Sequence, residues 1–81
     1  MKVRKKEIPL APIERILHQE GGKRVSEEAT RLLRDIIEEI ARFIAREACE
    51  LAAHADRKTV MKEDIIFAAK RIGKQTPFFI E

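Results

Sequence analysis

The stretch HADRKTV, residues 54–60, brings His54, Asp56, Arg57, Lys58 and Thr59 together, and GGKRVS, residues 21–26, sets Lys23 and Arg24 just ahead of Ser26. Residues of these types suit three chemistries: metal ligation, proton-transfer catalysis, or capture of an anion by cations, hydroxyls and backbone N–H groups. Metal ligation fails on number and direction. Structural zinc takes about four ligands, and Cys49, the only cysteine, lies five positions before His54, which turns the two side chains apart on a helix. Cys49 is read as a core residue. Catalysis fails because no nucleophile, base and orienting group cluster, and no glycine-rich loop follows a strand. Anion capture survives, and whether the two basic stretches make one surface depends on the elements that carry them.

Those elements are helices. Apolar residues make up 44% of 81 residues and aromatics only 5%, so a core must come from Ile, Leu, Val and Ala. Ile13, Ile16 and Leu17 recur at helical spacing in a short first helix, with Pro12 tolerable in its first turn and Gly21 and Gly22 ending it. Ser26 is the expected N-cap of the next helix, whose positive end is favoured by Glu27 and Glu28. From there to about His54 neither Gly nor Pro occurs, and an apolar stripe runs from Ala29 through Leu32, Leu33, Ile36, Ile37, Ile40, Phe43, Ile44, Ala48 and Leu51 to Ala52. The opposite side carries Glu27 with Arg31, Arg34 with Glu38, Glu38 with Arg42, and Arg46 with Glu50, read as solvated i,i+4 pairs. A loop over residues 55–59 follows, and a third, short helix is expected from Thr59, its N-cap, to Gly73.

Length decides the architecture. About 29 helical residues span ~43 Å, whereas a compact globule of this size is ~30 Å across, from a radius of gyration of ~12 Å. Two short helices cannot cover such a stripe, so an antiparallel crossing with the same helix of a second chain is expected, in a symmetric homodimer without a stable monomer.

The net charge of +3 sits in residues 1–7, where Lys2, Arg4, Lys5 and Lys6 outweigh Glu7, and the remaining 13 bases and 13 acids cancel. Residues 1–7 are read as a flexible, solvated basic tail able to touch phosphates. Folded-part affinity for nucleic acid must therefore come from where bases sit. The charged fraction of 38% leans toward surface ion-pair networks of a hot environment. One cysteine, no apolar run near the roughly 18 residues of a membrane helix and no signal-type start lead to a cytoplasmic, soluble reading with no membrane partner. Residues 74–81 form an apolar extension in which Pro77 precedes Phe78, Phe79 and Ile80, expected to fold onto its own dimer or to contact a neighbouring one.

IPLAPIERIL, GGKRVSEEA, the long helix and HADRKTVMKEDI resemble an archaeal histone in order and spacing, over about residues 8–72, several of them in identity. The resemblance implies an all-α histone fold over residues 8–73, paired with a second copy in an intertwined handshake homodimer. In it the first loop of one chain lies beside the second loop of the other. It implies chromosome-associated packaging and bending of double-stranded DNA, largely independent of sequence, with no cofactor, metal, small-molecule substrate or enzymatic activity. Carried over by position, Arg24 enters the minor groove, Lys58, Thr59 and Arg15 meet phosphates, the helix start at Ser26 is an anion site, and Lys23 and Lys62 add charge. Arg57 pairs with Asp64 to fix the second loop. Leu51, His54, Asp64 and Phe67 match a dimer–dimer interface leading to tetramers or longer stacks.

The sequence departs from the family at Met61, where a base is common, at His18 in place of a frequent lysine, and at Asp35 on the central helix. DNA binding is then expected to lean on salt-sensitive anchors: neutralising six to ten phosphates costs roughly 10³ to 10⁵ in affinity between low and moderate salt. The rival reading is a histone-fold dimerisation module of a larger complex with little DNA binding.

Overall fold

The computed structural model describes the backbone of residues 5–75 and the side chains of residues 5–72. The apolar extension with Phe78, Phe79 and Ile80, and the tail residues 1–4, lie outside the described residues. Three helices follow in the expected short, long, short order: α1 Leu10–Gln19, α2 Glu27–His54 and α3 Lys62–Gln75. No strand occurs among the described residues.

Each helix boundary has a local cause. Pro9 is the N-cap of α1, and its ring crowds the backbone of the residue before it out of helical geometry. α1 closes on a Schellman pair: the Gly22 N–H donates to the Leu17 carbonyl at 3.0 Å and the Gly21 N–H to the His18 carbonyl at 3.1 Å. Gly21 takes φ +117° there, a conformation that suits glycine. α2 opens with the Ser26 hydroxyl accepting the Ala29 N–H at 3.0 Å, as an N-cap should. It closes on a second Schellman pair, Arg57 N–H to the Ala52 carbonyl at 2.9 Å and Asp56 N–H to the Ala53 carbonyl at 3.0 Å. The left-handed position here is held by Asp56, at φ 60°, which aspartate tolerates better than most side chains.

α3 corrects the sequence reading at both ends. It starts at Lys62, with Met61 in the cap position, so Thr59 is a loop residue and caps nothing. The cap comes from inside the helix, where the Asp64 carboxylate accepts the Met61 N–H at 2.8 Å, the backward half of a capping box. Gly73 does not stop α3, which runs on to Gln75. One glycine costs a helix only ~1 kcal/mol relative to alanine, and Pro77 is the stronger stop signal in the sequence.

The chain divides within α2 into two units, residues 1–39 and 40–81. In the first, Ile13 is the buried apolar residue, and the polar side chains of Thr30, Arg34 and Glu38 are buried as well. In the second, Ala48, Ala52, Ala68 and Ile72 are buried, together with Asp64. No large side chain among the described residues is fully buried. Leu32 and Phe67 remain 62% and 53% exposed, and Ile16, Ile37, Val60, Met61, Ile65 and Ile66 are exposed as well. A single chain thus leaves eight of its described large apolar side chains exposed and buries few of the others completely. Cys49 is exposed too, against the expectation of a core cysteine; it lies on α2 between buried Ala48 and exposed Glu50.

Arg34 and Glu38 correct the reading of a solvated charged face, because both are buried. The cause is the segment before α1. The Glu38 carboxylate accepts the Glu7 N–H at 3.1 Å to each oxygen and the Ile8 N–H at 3.2 Å. Arg34 Nη1 donates to the Ile8 carbonyl at 2.9 Å. Glu7, assigned to a flexible tail from sequence, is therefore tied to α2. The pair Glu27 with Arg31 remains on the exposed surface as read.

Candidate nucleic-acid interface

In the first unit, the α1–α2 loop carries Lys23 and Arg24, both exposed, between the Schellman turn and the Ser26 cap. His18, also exposed, donates from Nδ1 to the Gly22 carbonyl at 2.8 Å, and its Nε2 lies 3.6 Å from Glu14. His18 is thus a surface residue that braces the loop. Arg24 lines a shallow groove with Leu17, Val25, Ser26 and Ala29. The N-terminal N–H groups of α2 and their dipole end beside these cations, which favours an anion there. Arg15 is exposed on α1. Among the described residues, none of Arg15, Lys23 and Arg24 has an ion-pair partner.

In the second unit, the α2–α3 loop is held by Arg57. Its Nη1 donates to the Thr59 carbonyl at 3.0 Å and to Asp64 Oδ2 at 2.9 Å, and its Nη2 donates to Asp64 Oδ1 at 2.9 Å. The guanidinium beside Asp64, with the Met61 N–H, lowers that carboxyl to a pKa of about 2, and the same bonds raise the pKa of Arg57. Arg57 is consequently spent on the loop itself. Lys58 and Thr59 lie between its two anchor points and are exposed, as is Lys62 at the start of α3. A loop tied at both ends presents these groups with little ordering left to lose on binding.

Of the residues expected at a dimer–dimer interface, Leu51 is half-buried while His54 and Phe67 are exposed. His54 donates from Nδ1 to the Glu50 carbonyl at 2.9 Å and does not join Asp64 within the chain. Asp64 is 5% exposed, and with Oδ2 accepting two bonds and Oδ1 one, it keeps little capacity for another donor.

Sequence reasoning missed the Arg34–Glu38 grip on Glu7 and Ile8, and the left-handed Asp56. The available signal for the first was Ile8-Pro9, since a residue before proline has backbone groups that no adjacent helix can use. No group of three or more potential metal ligands occurs among the described residues. No described helix is long and apolar enough to cross a membrane.

A family model described as histone-like transcription factor (CBF/NF-Y) and archaeal histone matches residues 6–69. One of the subunits of the archaeal histone HAN1 from Thermococcus zilligii is 45% identical over 64 residues, covering 79% of this chain and 96% of the relative. A probable archaeal histone 3 from Methanocaldococcus jannaschii is 51% identical over 59 residues, covering 73% and 88%.

Proposed function

The chain belongs to the family of histone-like transcription factors and archaeal histones, and on that premise we propose that it packages duplex DNA as a handshake homodimer with little regard to sequence. Family membership makes it a structural, non-enzymatic histone-fold protein of the DNA-packaging kind. The finer mechanism is this reading's own. Two copies cross their α2 helices, covering the apolar side chains that one chain leaves exposed. The α1–α2 loop of each copy then lies beside the α2–α3 loop of the other, so Lys23 and Arg24 adjoin Lys58, Thr59 and Lys62.

At each such corner, Arg24 enters the minor groove while Lys58, Lys62, the Thr59 hydroxyl and the α2 N-terminus at Ser26 meet phosphates, and Arg15 extends the path along α1. Histone octamers bend DNA by this kind of contact without reading bases. The observation that carries the reading is the pair of loops whose backbones are pinned, by the Gly21 turn and Ser26 cap in one case and by Arg57 in the other, while their cations stay exposed. A further contact between dimers through Leu51, His54 and Phe67 would build tetramers or stacks, with Asp64 serving chiefly its own loop. The protein then works on the chromosome.

A second reading keeps the fold but changes the partner. The Thermococcus zilligii relative is named as one of the subunits of its histone, which supports pairing with another histone-fold chain; in this reading the chain serves as a dimerisation module of a larger complex with little DNA binding. DNA retention measured across salt on two duplexes of unrelated sequence tests the first reading. Equal affinities that fall steeply with salt are expected; a folded dimer that retains neither duplex at low salt rejects it.

A further inference from the structure

The grip of α2 on the segment before α1 is heavier than a helix start needs. Two ionised side chains one turn apart, Arg34 and Glu38, are 8% and 4% exposed. They take up the N–H groups of Glu7 and Ile8 and the carbonyl of Ile8. Asp35 adds to it: its Oδ1 accepts from Arg34 Nε at 2.8 Å and lies 3.5 Å from Lys6 Nζ. Arg34 holds the Asp35 carboxyl below the usual carboxylate range, helped by Lys6. Hydrogen bonds to charged groups are the strong ones, and here they are spent on the two residues that immediately follow Lys5 and Lys6.

The geometry points to Arg34 and Glu38 as positioning residues for an additional DNA-contact site made by Lys5 and Lys6. The inference rests on the proposed DNA-packaging function. With Glu7 fixed, the Cα of Lys6 stays ~4 Å from that of Glu7 and the Cα of Lys5 within ~8 Å of it, given about 3.8 Å per residue. Both side chains are exposed. The Lys6–Asp35 contact is a solvent-exposed pair, the kind that holds a side chain loosely in water and yields readily to a phosphate. Cations kept at a preset place on α2 act with less ordering cost than cations on a free terminus. The same grip explains how the central helix can carry an acid at Asp35 and still present a base: Lys6 is laid over it.

Two measurements on the full-length protein test this. Amide hydrogen exchange of the unmodified protein without DNA reads the clip alone, and Glu7 and Ile8 are expected to exchange much more slowly than Lys23 and Arg24 in the exposed α1–α2 loop. Exchange of Glu7 and Ile8 as fast as those loop amides overturns the proposal, whatever the protein does with DNA. The second measurement is the loss in duplex affinity and salt slope caused by Lys5→Ala with Lys6→Ala, in the unmodified protein and again beside Glu38→Gln or Arg34→Met. Two phosphate contacts from each chain of the homodimer, four in all, correspond to a slope change of about 3.6. That change is expected with the clip intact and should shrink to less than about half of it when either clip residue is altered. Equal changes in all backgrounds overturn the positioning role. Should one clip variant fail to fold, the other carries the comparison. Protected amides in a protein that binds no duplex would reject the packaging function and this site with it, while leaving the clip itself in place.

Discussion

Arg57 and Asp64 face each other through two parallel hydrogen bonds, each 2.9 Å long, across the loop that carries Lys58 and Thr59. The same carboxylate caps α3 through the Met61 N–H. One buried acid therefore joins a loop to a helix start, and its charge state governs both.

Acid should loosen this junction. The Asp64 pKa is about 2 in the folded chain against an ordinary 3.8, so its contribution to stability is complete above the ordinary value and is lost as pH falls toward the lowered one. Urea midpoints should fall between pH of about 4 and 2. Asp64→Asn should lower the midpoint at neutral pH and flatten that dependence. An Asn variant as acid-sensitive as its parent would assign the sensitivity to other carboxylates.

The two loop cations should matter to DNA and not to folding. Arg24→Ala with Lys58→Ala leaves every capping and bracing bond untouched, so far-ultraviolet circular dichroism and dimer mass should be unchanged. Loss of both from each chain of the proposed homodimer removes four cations, and the salt slope should drop by up to ~3.6 if each meets a phosphate or groove. Unchanged retardation of DNA by a folded double variant contradicts the proposed interface.

Leu32 should behave as a core residue despite being 62% exposed in the single chain. Leu32→Ala is expected to cost ~2 kcal/mol or more, whereas a true surface position stays within about 0.5 kcal/mol. Unfolding midpoints should also rise with protein concentration, since the folded form is a dimer. A small cost together with concentration-independent melting would mean that the helix stripe has no partner copy.

Asp56→Gly should stabilise the protein. The left-handed geometry at φ 60° is unfavourable for residues with a side chain, and relieving it should add up to ~1 kcal/mol to the unfolding free energy. The change also deletes an acid next to Arg57 and Lys58, so DNA binding should tighten at low salt. A lower melting temperature would show that the Asp56 side chain holds the turn in some further way.

Ser26→Ala should cost ~1 kcal/mol of stability through the lost Ala29 cap. It should weaken DNA binding much less than the loop-cation variant, because the backbone N–H groups at the helix start remain. Chemical denaturation and salt titration on one sample read the two effects separately.

Some of this protein is written locally and some is not. Helix periodicity, the Ser26 cap and the Gly21–Gly22 stop act over three to six neighbouring residues, so α1 and α2 could be placed from the chain alone. The loop cations were legible through family likeness in order and spacing, because their exposure needs no distant partner. The start of α3 was misjudged because Thr59 and Asp64 both look like capping residues. Which one acts is decided by Arg57, whose bidentate hold turns Asp64 back onto the Met61 N–H and leaves Thr59 in the loop.

Arg34 and Glu38 show the larger divide. By spacing alone they are an ordinary surface pair, and nothing within a helical turn says otherwise. They are buried because backbone groups 26 to 31 positions earlier in the chain, left without helical partners ahead of Pro9, settle onto them. Short-range pattern was enough to place α1 and α2, and the two cationic loops needed the family likeness besides. Which charges face water and which hold the chain together was settled by packing at long range, because burial of a charge is set by what lies over it, and that segment came from elsewhere.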